Sequence, residues 1–304
     1  MRSATWGVLL ALVSALGFGT LAIFGRLSAI VGLELSSLLA FRFGLATPLV
    51  WLPLVLREDL ELLGGRDLGI ALLLGAGGYA TMSFLFLTGV NRIGAGLGAI
   101  VLYVYPAMVV LLAALFLEER ITRLTVVAVA LAIGGVALVV TGQPATVDLG
   151  GILTVLLAAT VYAGYITVSG TILDRVAATV LTAHVVPAAA LTFLVHGLLT
   201  RSMQVPATPS QWGVALGIAV FATAVPILTF FAAVTHIGAS RTSIVSTLEP
   251  VFTVLLGALL LGETLSPIAA LGGAVVLAGV FLVQYERVPV AESDGETGEL
   301  GSSQ

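Results

Sequence analysis

The sequence of 304 residues contains no cysteine and no lysine, and charged residues make up only 9% of it. The absence of cysteine excludes disulfides, thiolate metal sites and cysteine catalysis. The twelve basic residues are all arginine and form no basic patch, so nucleic acid is not expected as a partner. Soluble domains carry about 25% charged residues. This chain therefore has too little polar surface for a water-soluble enzyme.

Apolar residues take the place of the missing charge. Hydrophobic residues make up 59% of the chain, and its mean hydropathy is +1.16. A bilayer is crossed by about 20 apolar residues in a helix. The apolar runs between short polar breaks predict ten membrane-spanning helices, over residues 6–24, 34–56, 68–90, 95–117, 124–141, 151–172, 178–200, 212–234, 242–261 and 268–285. An all-α integral membrane protein is expected.

The sequence repeats itself at an offset of 144 residues without gaps over most of its length. At this offset Pro106 aligns with Pro250 and Glu119 with Glu263. Apolar sequences match easily by chance, but paired prolines and glutamates at one fixed offset do not, so we interpret the match as a duplication. The expected organisation is a first five-helix repeat over 6–141, a second over 150–285, and a disordered acidic cytoplasmic tail over 286–304.

Each repeat holds an odd number of spans, so the second copy enters the membrane from the opposite side. The positive-inside rule then sets the orientation. We expect the protein in the cell membrane. If both of its termini are cytoplasmic, eight arginines lie on the cytoplasmic side: Arg2, Arg57, Arg66, Arg120, Arg123, Arg175, Arg241 and Arg287. Three lie outside: Arg26, Arg92 and Arg201. The bias favours cytoplasmic N- and C-termini.

The two halves resemble the EamA branch of the drug/metabolite transporter superfamily. The fourth span of each half carries a related segment, Leu117-Glu118-Glu119-Arg120 after Pro106 and Leu261-Gly262-Glu263-Thr264 after Pro250. The resemblance covers about residues 6–285. It implies a ten-helix carrier with a central cavity between the halves and no tightly bound cofactor. Such carriers move small metabolites, often amino acids, usually outward from the cytoplasm.

Polar and aromatic side chains inside the spans are the candidates for lining that cavity, because polar groups in a bilayer are costly. In the ninth span four polar residues recur at helical spacing, which puts them on one face: Thr242, Ser246, Glu249 and Thr253. Other spans contribute Ser14, Phe18, Tyr79, Ser83, Tyr162 and Tyr165. Together these residues predict an amphipathic cavity suited to a small organic solute. The alternative is that single hydroxyls bond their own backbone and tyrosines anchor at the interfaces.

Glu249 is the sharpest candidate, since it lies near the middle of its span directly before Pro250. Its equivalent in the first repeat is Tyr105. Three tasks stay open for this carboxylate: binding a substrate cation, carrying a coupled proton, or holding a structural hydrogen bond. Pro106 and Pro250 are candidate hinges, because proline frees a carbonyl one turn earlier and bends a helix.

Two glutamates and one arginine complete the candidates. Glu119 and Glu263 are kept in both copies at helix ends, so a structural, capping role is expected. Arg42 lies inside the second span. It attracts an anionic substrate, pairs with a carboxylate, or snorkels to the outer surface.

These features predict a secondary transporter that works by alternating access. The alternatives are an intramembrane enzyme, for which the sequence shows no catalytic constellation, and a channel, for which it shows no ring of charges. We therefore expect no enzymatic activity, no cofactor and no metal. The expected partners are a small-molecule substrate and the lipid bilayer, while a coupled proton and a homodimer stay open.

The predicted topology can be tested with two reporter fusions, one at the C-terminus and one in the connection between residues 141 and 150. An odd number of spans separates these points, so the reporters should lie on opposite sides of the membrane. Reporters on the same side would remove the argument for inverted repeats.

Overall fold

The computed structural model describes residues 2–59, 61–116, 122–142 and 148–286, and every regular element within them is a helix. Eight helices are long and apolar enough to cross a membrane, and two shorter apolar helices complete the expected ten. The all-α membrane fold is thereby confirmed. Glu119 and residues 287–304 of the expected tail lie outside the described residues.

The ten helices, called spans 1 to 10 below, follow in chain order: Ala4–Ile30, Leu35–Leu56, Gly65–Ile93, Ala95–Phe116, Arg123–Thr141, Leu149–Leu173, Ala178–Leu199, Pro209–Ile237, Ala239–Leu261 and Pro267–Glu286. Spans 1, 3 and 8 extend beyond the apolar windows that predicted them. Apolar composition marks the part of a helix inside the bilayer, whereas capping and turn residues decide where the helix ends.

Polar side chains cap the starts of three spans. Glu34 accepts from the backbone N–H of Ser36, and Asp148 accepts from that of Gly151, at N···O distances of 2.6 and 3.2 Å. Thr208 accepts from Gln211 and is followed by a proline at the first helical position. These caps satisfy N–H groups that have no partner within the helix.

Spans 4 and 9 are broken at equivalent positions. Span 4 is helical over Ala95–Leu102 and again over Tyr105–Phe116, and span 9 over Ala239–Ser246 and Glu249–Leu261. The proline in each second half-helix has no N–H for the carbonyl four residues earlier, yet it fits the first turn of a new helix. The prolines predicted as hinges therefore lie just after two mid-membrane breaks.

Spans 3 and 8 contain a second pair of irregular segments. Each includes a π-helical stretch, Leu74–Tyr79 in span 3 and Val220–Ala224 in span 8. At the 144-residue offset these stretches overlap, and Tyr79 is equivalent to Thr223. Single π-turns inside α-helices frequently mark functional positions.

The packing of the spans follows the repeat. Spans 5 and 10 pack together, as do spans 2 and 7, and each pair consists of equivalent helices. Span 1 packs on span 8. Span 6, the equivalent of span 1, packs in the same way on span 3, the equivalent of span 8. Both halves therefore form one interlocked body, as a pseudo-two-fold axis requires.

The contact between spans 5 and 10 depends on glycine. A Cβ atom at Gly135 would lie 2.7 Å from the carbonyl oxygen of Gly272 and 2.7 Å from the backbone nitrogen of Val276. Neither backbone atom can move aside as a flexible side chain can. Small residues at such positions allow membrane helices to approach closely. The neighbouring Gly134 faces open space instead.

We expect Gly135→Ala to destabilise the protein and the matched control Gly134→Ala to leave it unchanged. Overpacking a tight contact costs roughly 1–3 kcal/mol. Thermal unfolding midpoints of the two purified variants in the same detergent test this expectation. Equal midpoints would show that the close contact between spans 5 and 10 does not support the fold.

Candidate functional site

A cavity of about 430 Å³ lies between the two repeats. This volume is in the range of small-molecule sites, about 300–1,000 Å³. Aromatic side chains form much of its wall, with a few polar groups between them. Its lining includes Phe18, Tyr79, Phe86, Tyr103, Tyr105, Tyr162, Tyr165, Thr182, Phe230, Phe231, Ser243, Ser246, Glu249 and Gln284. The cavity is therefore amphipathic.

Five of the six tyrosines of the chain line this cavity and form one continuous row. The ring centroids of Tyr79 and Tyr165 are 5.5 Å apart, and those of Tyr165 and Tyr162 are 5.9 Å apart. Tyr162 then lies 4.6 Å from Tyr105, which lies 5.6 Å from Tyr103. Such spacings are typical of favourable aromatic pairs. We call these five residues the tyrosine row.

Glu249 lies at the Tyr103 end of the tyrosine row. Pro250 leaves the Ser246 carbonyl, one turn earlier, without its helical N–H, and the Tyr103 hydroxyl donates to that oxygen at 2.6 Å. Glu249 follows Ser246 by three residues, on the other side of the break in span 9, and both residues line the cavity. A carboxyl group therefore lies at the cavity directly beside this break.

Six of the predicted site residues line the cavity: Phe18, Tyr79, Tyr162, Tyr165, Ser246 and Glu249. The other five, Ser14, Arg42, Ser83, Thr242 and Thr253, do not. Thr242 donates to the Gly238 carbonyl at 2.8 Å. Ser14 donates to the Pro226 carbonyl at 2.8 Å, and Thr253 donates to the Gly19 carbonyl at 2.9 Å. Thr253 lies one turn beyond Glu249 in the same half-helix, at the level where span 1 packs closely against span 9 at Gly19, so span 1 covers this part of the face. Ser83 lies with Arg42 in a separate cluster.

Arg42 is fully buried instead of reaching the surface. Its Nε donates to Thr223 Oγ1 at 2.9 Å, its Nη1 to Ser83 Oγ at 3.3 Å and its Nη2 to Tyr79 Oη at 3.4 Å. The guanidinium carbon lies 4.5 Å from the centroid of the Phe43 ring. Because Tyr79 and Thr223 are equivalent in the two repeats, Arg42 joins their π-helical segments.

Glu263 lies at the far end of span 9, away from the cavity. Its carboxylate accepts from the backbone N–H groups of Ala95 and Gly96 at 2.8 and 2.9 Å, and it lies 3.7 Å from the Arg26 guanidinium. The preceding Gly94 has φ of +92°, and a Cβ there would lie 3.1 Å from this carboxylate. A residue that caps a helix accepts from backbone N–H groups in this way. The capping role of Glu263 stays a prediction.

Tyr103, Tyr105 and Gln284 line the cavity although the sequence did not single them out as site residues. A signal for the two tyrosines was present. Both lie beside Pro106, at the break equivalent to the one that holds Glu249. Gln284 gave no such signal, since it lies near the end of the last predicted span and no other polar residue within that span lies at helical spacing from it.

Among the described residues, no three histidine, aspartate or glutamate side chains lie close enough to hold a metal ion. Within that part of the chain, the polar groups of the cavity are hydroxyls, amides and the single carboxylate Glu249. Together with the aromatic rings, these groups are suited to binding an organic solute through hydrogen bonds and apolar contact.

The EamA-like transporter family matches the chain twice, over residues 5–141 and 149–285. The "Uncharacterized transporter YcbK" of Bacillus subtilis (strain 168) is 26% identical over 97% of both chains. The "Probable terminal-alkyne amino-acid exporter" of Streptantibioticus cattleyicolor is 28% identical over 93% of this chain and 94% of its own. One solved crystal structure is similar in fold, with a TM-score of 0.65 at 19% identity over 92% of this chain and 96% of that one.

We expect Tyr103→Phe to lower the stability of the protein, because the mutation leaves the Ser246 carbonyl without a donor. A buried, unsatisfied polar group costs roughly 1–3 kcal/mol. Tyr105→Phe is the matched control, since the Tyr105 hydroxyl has no hydrogen bond to another described residue. Thermal midpoints in detergent compare the two. If both variants unfold at the wild-type temperature, the Tyr103 hydrogen bond does not stabilise the break in span 9.

Proposed function

The chain belongs to the EamA-like transporter family, and from this premise we propose that it is a secondary transporter of amino acids or related small metabolites. It works by alternating access and moves its substrate out of the cytoplasm across the cell membrane. Both termini lie in the cytoplasm, in agreement with the distribution of arginines. The relatives named as transporters favour a carrier over an intramembrane enzyme or a channel.

The observation that carries this proposal is the cavity between the repeats, with the tyrosine row on its wall and Glu249 at one end. A carboxyl group facing a cavity inside the bilayer is costly unless it binds a cation or a proton. The ammonium group of an amino acid is such a cation, and the tyrosine rings supply an apolar and cation-attracting wall. The name of the relative from Streptantibioticus cattleyicolor supports both the amino-acid class and the outward direction.

The equivalent irregularities of the two halves support alternating access. The breaks at Pro106 and Pro250 and the π-helical segment of span 3 contribute residues to the cavity lining, and Arg42 connects the π-helical segment of span 8 to that of span 3. An inverted repeat gives two end states of similar free energy, in which the halves exchange conformations. Helix breaks absorb the backbone changes of such a movement with little loss of packing.

Glu249 is well placed to couple binding to this movement. It lines the cavity directly after the break in span 9, where the Tyr103 hydroxyl donates to the Ser246 carbonyl. An ammonium group or proton that binds Glu249 therefore arrives at a hinge. In this proposal Glu249 binds the substrate cation or carries a coupled proton, and the tyrosine row binds the rest of the substrate.

The proposal is tested by exchange assays in proteoliposomes of known orientation, with a panel of labelled amino acids and metabolites. We expect concentration-dependent transport of at least one amino acid by the wild type. Glu249→Gln keeps the size of the side chain and should insert normally but transport at least about tenfold more slowly, as expected for loss of a charged hydrogen bond.

Glu263→Gln is the matched control for Glu249→Gln. This carboxylate lies in the connection after span 9 but far from the cavity, so its loss should lower thermal stability while each inserted molecule transports normally. Wild-type rates in a well-inserted Glu249→Gln variant would reduce Glu249 to a structural residue. Absence of transport for every amino acid in the panel would contradict the proposed substrate class.

A further inference from the structure

Arg42 carries a positive charge that no acidic group compensates within the described part of the chain. Its side chain is completely buried, and its three hydrogen-bond partners are the neutral hydroxyls of Thr223, Ser83 and Tyr79. No described carboxylate lies within 4.0 Å of it. A guanidinium stays charged in proteins, and a buried charge is normally paired. The arrangement therefore suits an anion that comes from outside the chain.

Tyr79 connects this charge to the cavity. Arg42 does not line the cavity, but Tyr79 does, and its hydroxyl accepts from Arg42 Nη2. Among the described residues, Arg42 is the only hydrogen-bond partner of that hydroxyl, so its own proton is available to an acceptor in the cavity. A hydroxyl that accepts from a cation becomes a stronger donor, because hydrogen bonds in a chain polarise one another. Tyr79 is thus prepared to donate to an anionic group in the cavity.

The two ends of the tyrosine row therefore lie near different ionisable groups, Arg42 at one end and Glu249 at the other. Tyr79, at one end, accepts a hydrogen bond from Arg42. Tyr103, at the other end, donates to the Ser246 carbonyl, three residues before Glu249, and both Tyr103 and Glu249 line the cavity. Between these ends lie the rings of Tyr165, Tyr162 and Tyr105. A zwitterion complements this arrangement: an anionic group fits one end, a cationic group the other, and an apolar side chain the rings between.

We propose that Arg42, acting through Tyr79, makes one end of the cavity specific for a carboxylate, so that the cavity takes an α-amino acid with its carboxylate at Tyr79 and its ammonium group near Glu249. The inference rests on the proposed function and adds to it a positioning residue and the substrate's orientation. Thr223 and Ser83 hold the guanidinium in place from spans 8 and 3.

A purely structural role for Arg42 is the competing explanation, since it joins the π-helical segments of the two repeats. The two explanations differ in what they predict for ligands. If Arg42 has only a structural role, its loss slows the transport of every substrate alike. A carboxylate-specific group affects only the ligands that carry a carboxylate, so the ratio between ligands separates the explanations. Because the ratio is measured on one sample, partial misfolding does not change it.

The experiment uses three ligands with the same side chain: the best-transported amino acid of the panel, the amine left by removing its carboxylate, and the acid left by removing its amine. Arg42→Gln and Tyr79→Phe should slow the amino acid and the acid by about tenfold, as expected for one charge-assisted hydrogen bond. Transport of the amine should stay within about twofold of wild type, since it makes no such bond. Glu249→Gln should show the reverse selectivity between amine and acid.

Thr229→Val is the matched control, because it removes a hydroxyl that donates to its own helix at Val225 and lies outside the cavity lining. It should leave all three rates and their ratios unchanged. If Arg42→Gln does not insert, Tyr79→Phe decides alone, since it leaves the bonds from Arg42 to Thr223 and Ser83 in place.

The outcomes separate the inference from the proposed function. Equal slowing of all three ligands in Tyr79→Phe, or no change in any of them, overturns the carboxylate end while the amino-acid transporter stands. A wild-type protein that moves the amine as well as the amino acid also overturns it. A wild-type protein that transports no amino acid contradicts the proposed substrate class, and the inference fails with it.

Discussion

Inside a bilayer every backbone N–H and C=O must find a partner within the protein, and the rest of this structure depends on how the chain meets that demand where its helices are interrupted. Pro250 removes one N–H from span 9 and leaves the Ser246 carbonyl unpaired. The Tyr103 hydroxyl, from the break of span 4, supplies the missing donor. Two interrupted helices thus complete each other across the interface between the repeats, and the cavity lies beside that contact.

The duplication separates the scaffold from the candidate site. Positions that are the same in both copies, such as Pro106 and Pro250, shape the helices. Positions that differ place different groups at the candidate site: Glu249 is equivalent to Tyr105, and Tyr79 to Thr223. A symmetric pair of sites would present the same groups at both ends of the cavity. Because these pairs differ, Glu249 lies near one end of the tyrosine row and the hydrogen bond from Arg42 reaches the other, and the proposed orientation of a zwitterionic substrate rests on this difference.

Much of the architecture could be predicted from the sequence, because a bilayer makes strong demands on composition. Each predicted window matches a span, and the resemblance to the EamA branch is confirmed by the family match. The prediction was less informative for individual side chains. Ser246 and Glu249 reach the cavity, but Thr253 on the expected same face bonds to Gly19 of span 1. Periodicity along one helix placed Thr253 on the same face as Glu249, but it could not show that span 1 packs against that face one turn further along, at Gly19.

By itself, the sequence determined that the chain is a duplicated bundle of ten membrane helices with one carboxyl group near the middle of span 9. Hydropathy, the repeat at a fixed offset and the paired prolines can all be read directly from the order of the residues. Only the tertiary structure decided which side chains share the cavity, that five tyrosines from spans 3, 4 and 6 form one row, and that Arg42 meets equivalent positions of both repeats. The bond from Arg42 to Thr223, for example, joins residues 181 positions apart. Such relations depend on how helices rotate and pack against one another, which a one-dimensional pattern does not specify.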